Sequence, residues 1–219
     1  MILSIDTTGQ FGSLALIAGG EVIEEMSLHA EDGFGHVIFG HIANLLDRHG
    51  RSIRDIECFA SASGPGSFTG VRVGLACAKG LAEALGAPIV TVSNLQALAA
   101  FGSGRLRATM LDARRGEIYG AIYNSDLGAV GPEVVMPFLN WLRTLPRGPL
   151  EIISNDVSPY LSELSDSRFT VTESPRALAA AIGRIAHAKL ARGLALNPAE
   201  ADANYIRRSD AELFWKDPD

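Results

Sequence analysis

Apolar positions along this chain first fall in short dense blocks, and the period then lengthens. Residues 1–6 read as a buried strand, and 11–18 and 21–28 as two more, joined by Gly19-Gly20, the kind of pair that tight primed turns favour. Val37, Ile38, His41, Ile42, Leu45 and Leu46 then recur at helical spacing, and Gly50 follows as a stop, which predicts a helix from about 35 to 49. A short apolar run, 56–62, ends in Ser63-Gly64-Pro65-Gly66. After it Val71, Leu75, Ala78, Ala82 and Leu85 keep helical period up to Gly86. A strand through Val92 and a short helix over 95–101 complete the order βββαβαβα.

The helical pattern stops at Gly102-Ser103-Gly104, which is the expected domain boundary, dividing the chain into 1–102 and 103–219. The second half opens with strands over 106–111, 117–123 and 134–136. A helix over 138–145, a strand over 150–154 and a long helix over 176–192 follow. Each half begins with antiparallel strands and then alternates helix with strand. That pattern predicts an α/β fold built from a duplicated unit.

The segment Gly64-Pro65-Gly66-Ser67-Phe68-Thr69-Gly70-Val71-Arg72-Val73-Gly74 sits at a strand-to-helix turn, where backbone N–H groups can face an anion. It fails two cofactor patterns. Val71-Arg72 stands where a Walker loop needs Lys and Ser or Thr, and Thr69 occupies the third glycine position of a dinucleotide fingerprint. What remains is a row of small residues, Gly66, Gly70, Gly74, Ala78 and Ala82, every fourth position along one helical ridge. Gly70, Gly74 and Gly80 each cost about 0.8–1 kcal/mol against alanine inside a helix, so close packing must recover roughly 3 kcal/mol. The recipient is either the chain's own sheet and neighbouring helix or a partner helix.

Metal and hydrolase chemistry find little support. His36 and His41 are five residues apart and diverge by about 140° on a helix, and His29, His49 and His187 are scattered. No Gly-x-Ser-x-Gly elbow occurs. The expectation is no catalytic residue, no metal and no cofactor. Asp6-Thr7-Thr8-Gly9 and Asp112-Ala113-Arg114-Arg115-Gly116 end the first strand of each half. Facing one cleft, Asp6, Thr7, Thr8 and Asp112 could straddle a magnesium nucleotide; otherwise they cap ordinary turns.

Composition narrows the setting. The 219 residues are 47% hydrophobic and 20% charged, which suits one large folded domain or two small ones and excludes a disordered chain. The opening residues carry no basic leader and no apolar run approaches the roughly 18 residues that span a bilayer, so a cytoplasmic protein without a membrane segment is expected. Cys58 and Cys77 are too few for a disulfide framework. A net charge of −6 argues against a chain that grips phosphate backbones, leaving Arg105, Arg107, Arg114, Arg115 and the Arg207-Arg208 pair as local basic spots.

Taken together, Ile5-Asp6-Thr7, the glycine segment 64–74 followed by Ala78-Lys79-Gly80-Leu81, Asp112 to Tyr119, and Tyr205-Ile206-Arg207-Arg208 make the chain resemble the TsaB (YeaZ) family nearly end to end. The resemblance implies two actin-like or RNase H-like (ASKHA) α/β domains, each with a mixed sheet and flanking helices. It also implies a noncatalytic partner in threonylcarbamoylation of the adenosine beside the tRNA anticodon. Such a protein pairs with the related catalytic subunit TsaD, is joined by the ATPase TsaE, and touches tRNA at most indirectly or weakly. The catalytic relatives carry a His-x-x-x-His metal pair that this chain lacks, so peptidase activity is not expected.

The pairing surface implied by the resemblance lies on the first two helices. On the first it comprises His36, Ile38, His41, Ile42 and Leu45; on the second, Gly66, Gly70, Val71, Gly74 and Ala78. Where the family often opens its first helix with His-Ser, Gly35-His36-Val37-Ile38 stands here. An exposed small-residue patch also predicts a homodimer when the chain is alone. The reading from another class is an actin-like ATPase or small-molecule kinase using Asp6 and Asp112.

Overall fold

The computed structural model describes residues 1–207, so Arg208 lies outside the described residues. Strands β1 (Ile2–Asp6), β2 (Phe11–Ala18), β3 (Glu21–His29), β4 (Cys58–Ala62) and β5 (Ile89–Val92) form one sheet in the order β3-β2-β1-β4-β5. The first three pair antiparallel, and β4 and β5 extend the sheet in parallel from β1. The second sheet holds β6 (Leu106–Arg114), β7 (Glu117–Asn124), β8 (Val134–Pro137), β9 (Leu150–Ser154) and β10 (Phe169–Glu173) in the order β10-β9-β6-β7-β8. Here too a three-strand meander joins two parallel strands through its first member. The two sheets therefore repeat one topology, the actin-like arrangement, and the internal duplication is visible in strand order.

Side-chain alternation along the strands divides the core by face. Leu3 and Ile5 of β1 join Leu14, Leu16, Phe59 and Ile89 on one face of the first sheet. There they meet α1 (Ile38–Arg48) and α2 (Phe68–Leu85), whose buried residues include Ile42, Leu45, Leu75 and Ala78. Ile2, Ala15, Ile17, Ala60 and Val90 point the other way, into a core shared with α3 (Asn94–Ala99), α5 (Ala179–Ala191) and the inner face of the second sheet. The outer face of the second sheet packs on α4 (Phe138–Thr144) around Phe138 and Trp141. The layers run α/β/α/β/α, and α5, although it follows the second sheet in sequence, rests on β1 and β2 of the first.

Local chemistry sets the boundaries. Gly19 and Gly20 adopt φ of 58° and 88°, the left-handed pair that a primed hairpin turn requires. The side chain of Ser67 caps α2 by accepting from the Gly70 N–H at 3.2 Å, and Gly86 ends the helix at φ 63°. A 3-10 turn over Phe34–His36 precedes α1, which starts at Ile38, slightly later than its apolar spacing suggests.

One carboxylate fixes the entry to the second half and another ties the halves together. Glu151 on β9 accepts from the backbone N–H of Ser103 at 2.8 Å and Gly104 at 2.6 Å, clasping the segment that enters β6, and takes the Thr172 hydroxyl at 2.5 Å. Glu133, just before β8, accepts from the Tyr123 hydroxyl at 2.7 Å, from Asn204 Nδ2 at 2.5 Å and from the Ser93 hydroxyl. Arg107 also turns inward, with Nε on the Gly104 carbonyl and Nη1 on that of Ala99, both at 3.0 Å. It is a structural brace and adds nothing to a surface charge cluster.

Candidate functional site: the inter-sheet cleft and the outer helix pair

The first strand delivers Asp6 to the bottom of the cleft between the sheets, where it is 2% exposed. Its Oδ1 accepts from the Thr8 backbone N–H at 2.9 Å and from the Thr8 hydroxyl at 2.6 Å. Asn94 Nδ2 donates in turn to Thr8 Oγ1 at 2.5 Å. Burial raises the Asp6 pKa above its ordinary value, the bonds from Thr8 and Asn94 act against that rise, and the Glu25 charge adds to it. Thr7 turns the other way and donates to the Gly70 carbonyl at 2.7 Å, fastening the end of β1 to α2.

At the end of β6, Asp112 repeats the motif, its Oδ1 accepting from the Arg114 backbone N–H at 2.8 Å. Arg114, Arg115 and Gly116 follow with φ of 62°, 58° and 76°, a left-handed run that costs each arginine about 1–2 kcal/mol. Asp6, Thr8, Asp112, Arg114, Tyr119 and Arg176 line one cleft of about 780 Å³. The structure thus brings three of the four nucleotide candidates together and directs Thr7 away. Both aspartates spend an oxygen on their own turns, as capping residues do. Arg207 is braced across the rim, donating to the Ala113 carbonyl at 2.7 Å and to Glu117, with its guanidinium 5.6 Å from the Tyr119 ring centre. Beside it, the Arg72 guanidinium lies 3.6 Å over Phe68, and its Nε donates to the Tyr205 hydroxyl at 3.0 Å.

No group of three or more His, Cys, Asp or Glu suited to a metal ion occurs among the described residues. His36 is exposed and His41 half-buried on the outer helices. Cys58 and Cys77 are buried free thiols, and desolvation pushes both up to about 11, far from the thiolate a nucleophile needs.

The small-residue ridge of α2 faces inward. A Cβ on Gly66 would lie 2.7 Å from the Thr8 carbonyl oxygen, one on Gly74 would lie 2.5 Å from Thr7 Oγ1, and one on Gly70 would collide with the Thr7 carbonyl. Ala78 and Ala82 are fully buried. The close approach that recovers the cost of Gly70 and Gly74 is therefore to the chain's own first strand and its turn. Val71 on α2 and Ile38, Ile42 and Leu45 on α1 are likewise buried within the fold. Of the ten residues expected at a partner surface, His36, His41 and Gly66 are accessible in the folded chain and the other seven are core.

The outward face of the same two helices carries different residues. Phe39 is 59% exposed, and Gly40, Ala43 and Asn44 are exposed beside it on α1. Arg72, Ala76, Gly80 and Glu83 are exposed on α2. Nothing lies within 4 Å of a Cβ added at Gly40 or Gly80, so packing inside this chain gives neither glycine a reason to be glycine. The signal was present in the sequence as Phe39, an aromatic that falls off the buried stripe of α1, and as Gly80, which falls off the ridge of fours on α2.

Comparison with known proteins adds to this geometry. The family model for TsaD, tRNA N6-adenosine threonylcarbamoyltransferase, matches residues 29–154, more than half of the chain. The chain is 30% identical to the tRNA threonylcarbamoyladenosine biosynthesis protein TsaB of Bacillus subtilis (strain 168), over 98% of this chain and 97% of that protein. It is 37% identical to the protein of the same name from Escherichia coli (strain K12), over 57% of this chain and 55% of that one. Among solved structures, YeaZ from Pseudomonas aeruginosa superposes with a TM-score of 0.77 at 25% identity, covering 93% of this chain and 98% of that chain. A protein with similarity to peptidase YeaZ, from the same organism, reaches 0.80 at 23% identity, covering 94% and 99%, which speaks to the fold.

Proposed function

This chain belongs to the TsaB family, and from that premise we propose that it serves tRNA threonylcarbamoyladenosine biosynthesis as a noncatalytic subunit pairing with TsaD. The observation that carries the reading is likeness to a TsaB along almost the whole of both chains. It is supported by the state of Asp6, whose acceptor oxygen is held by its own turn. The units that act are 1–102 and 103–219, with α5 of the second covering the first. The protein works in the cytoplasm, and its contact with tRNA is at most indirect or weak.

The pairing surface is the outward face of α1 and α2, centred on Phe39, Ala76 and Gly80, where small residues permit close approach around an exposed aromatic. A standard interface would bury on the order of 1,600 Å² there. TsaE joins the pair, and without TsaD the same face closes a homodimer. Mixing the chain with its cognate TsaD gives a heterodimer in sedimentation, and tRNA modification reconstituted from purified components depends on the chain. Phe39→Asp with Ala76→Arg abolishes both while leaving the melting temperature in place. Unchanged pairing by that folded double variant removes this surface from the account.

One observation favours a second reading, an actin-like ATPase or kinase: Asp6 and Asp112 do line a single cleft. It predicts magnesium-dependent ATP turnover by the chain alone, lost on Asp6→Asn. Absence of turnover in the wild-type chain disposes of it.

A further inference from the structure

A second cavity, of about 550 Å³, opens between α5, the end of α3 and the loop that joins β7 to β8, away from both the Asp6 cleft and the outer helix pair. Hydrocarbon makes part of its wall, Ala181, Ile185 and Ala188 from α5, Phe101 after α3, and Leu127 from the loop, and polar and charged side chains make the rest. Lys189 of α5, half-buried, also lines the cavity and donates from Nζ to the Thr91 carbonyl at 3.1 Å. An ammonium has three N–H donors, and the hydrogen bonds among the described residues occupy one. Burial holds the Lys189 pKa below the ordinary lysine value, partly offset by the Glu133 charge, so the protein leaves this cation incompletely compensated.

The other charges around the cavity have the same sign balance, and Arg107, which donates to the Gly104 and Ala99 carbonyls, is among them. Arg184 and Arg192 stand exposed at the rim, and the ion pair Arg184 makes, to Glu21, is long at 3.9 Å between two exposed side chains. Of the acids, Glu25 already accepts from the Ala180 backbone N–H at 2.7 Å, and Asp126 is exposed at the loop tip. The wall opposite α5 is held in an unusual state. Leu127 adopts φ 60°, a left-handed conformation that a leucine rarely takes and that its neighbour Gly128 would take freely. Its N–H donates to the Asn124 carbonyl at 3.1 Å and its carbonyl accepts from Gln96 Nε2 at 3.0 Å, so the isobutyl group is pinned in the cavity wall. Outliers of this kind cluster at ligand clamps.

We propose that this cavity binds a small carboxylic acid with an apolar body, its carboxylate on the Lys189 ammonium and its hydrocarbon against Ala181, Ile185, Ala188 and Leu127. A half-buried ammonium beside an alkyl wall suits a carboxylic acid, which brings one negative charge and an apolar body to the two. The proposal goes beyond membership of the TsaB family and uses none of the residues assigned to pairing, so either can fail without the other.

Isothermal titration of the full chain with decanoate and with 2-naphthoate tests it, the two acids separating an alkyl ligand from an aromatic one. Saturable one-to-one binding of at least one acid is expected, with decanol weaker by about tenfold or more. Lys189→Met should lose about tenfold or more in affinity for that acid. Ala188→Trp, an exposed position that keeps Lys189, should fill the cavity and block binding while the circular dichroism spectrum is unchanged. No saturation by either acid, decanol binding as tightly as the acid, or full affinity in the folded Ala188→Trp variant overturns the proposal.

Discussion

Asp6 and Asp112 sit in corresponding parts of the two repeats of the fold, Asp6 closing β1 and Asp112 two residues before the end of β6, each accepting the backbone N–H two residues on, at 2.9 and 2.8 Å. One is buried at the floor of the cleft and the other stands in solvent. The repeat has kept the turn and given its two copies different surroundings, which makes Asp6 the informative one to change.

Asp6→Asn keeps an acceptor for Thr8 and removes a carboxylate whose ionisation burial opposes. With a folded pKa above 3.8, the native state binds the extra proton, so Asp6 weakens stability as pH climbs from 3.8 through the raised value and withholds it above. The asparagine variant is therefore at least as stable as wild type at neutral pH. Asp6→Ala, which strands the Thr8 donors, costs about 1–3 kcal/mol. Urea unfolding of the three proteins checks the order.

Glu151 carries the opposite sign. Burial alone would raise its pKa, but the bonds from Thr172, Gly104 and Ser103 and the nearby Arg107 outweigh burial and hold it below 4.5. Its stabilisation is complete above 4.5 and is lost as pH falls through the lowered value. Glu151→Gln is expected to cost about 1–3 kcal/mol near neutrality, and the gap to wild type closes in acid. Unfolding free energies across an acidic pH series measure this directly.

Gly80 and Gly70 separate an outer face from an inner one. Gly80→Ala, with open space around the new methyl, raises stability by about 0.8–1 kcal/mol. Gly70→Ala drives a methyl into the Thr7 carbonyl and destabilises by several times that amount, with loss of cooperative unfolding as the extreme. Thermal melts of the two variants side by side should move in opposite directions.

Glu133→Ala leaves the hydroxyls of Ser93 and Tyr123 and the amide of Asn204 without their shared acceptor. A loss of about 2–3 kcal/mol is expected. Glu133→Gln, which keeps one carbonyl oxygen, loses less. The midpoint of denaturant unfolding reads both.

Much of the architecture is written in local pattern. The Gly19-Gly20 turn, the run 150–154 and the stop at Gly86 depend on neighbours in sequence, and they stand where spacing puts them. Strand β10 has no such support: Phe169–Glu173 is a half-exposed edge strand whose alternation is diluted by polar residues, and it forms because β9 offers a parallel partner. The direction of the α2 ridge was unreadable for a similar reason. Regular glycine spacing states that something approaches closely, and only the placement of Thr7 and Thr8 says what. The site was readable as two turns, since Asp-containing strand ends announce themselves; their convergence depends on how the sheets stack around α5.

That stacking binds the two repeats more tightly than their order along the chain suggests. A fragment ending before Gly102 would keep all five strands of the first sheet yet present Ile2, Ile17, Ala60 and Val90 to water, because the cover for that side is made by α5, some eighty residues downstream. Synthesis of the first repeat is thus completed well before its folding can be, and an emerging chain carries an unroofed sheet until α5 arrives.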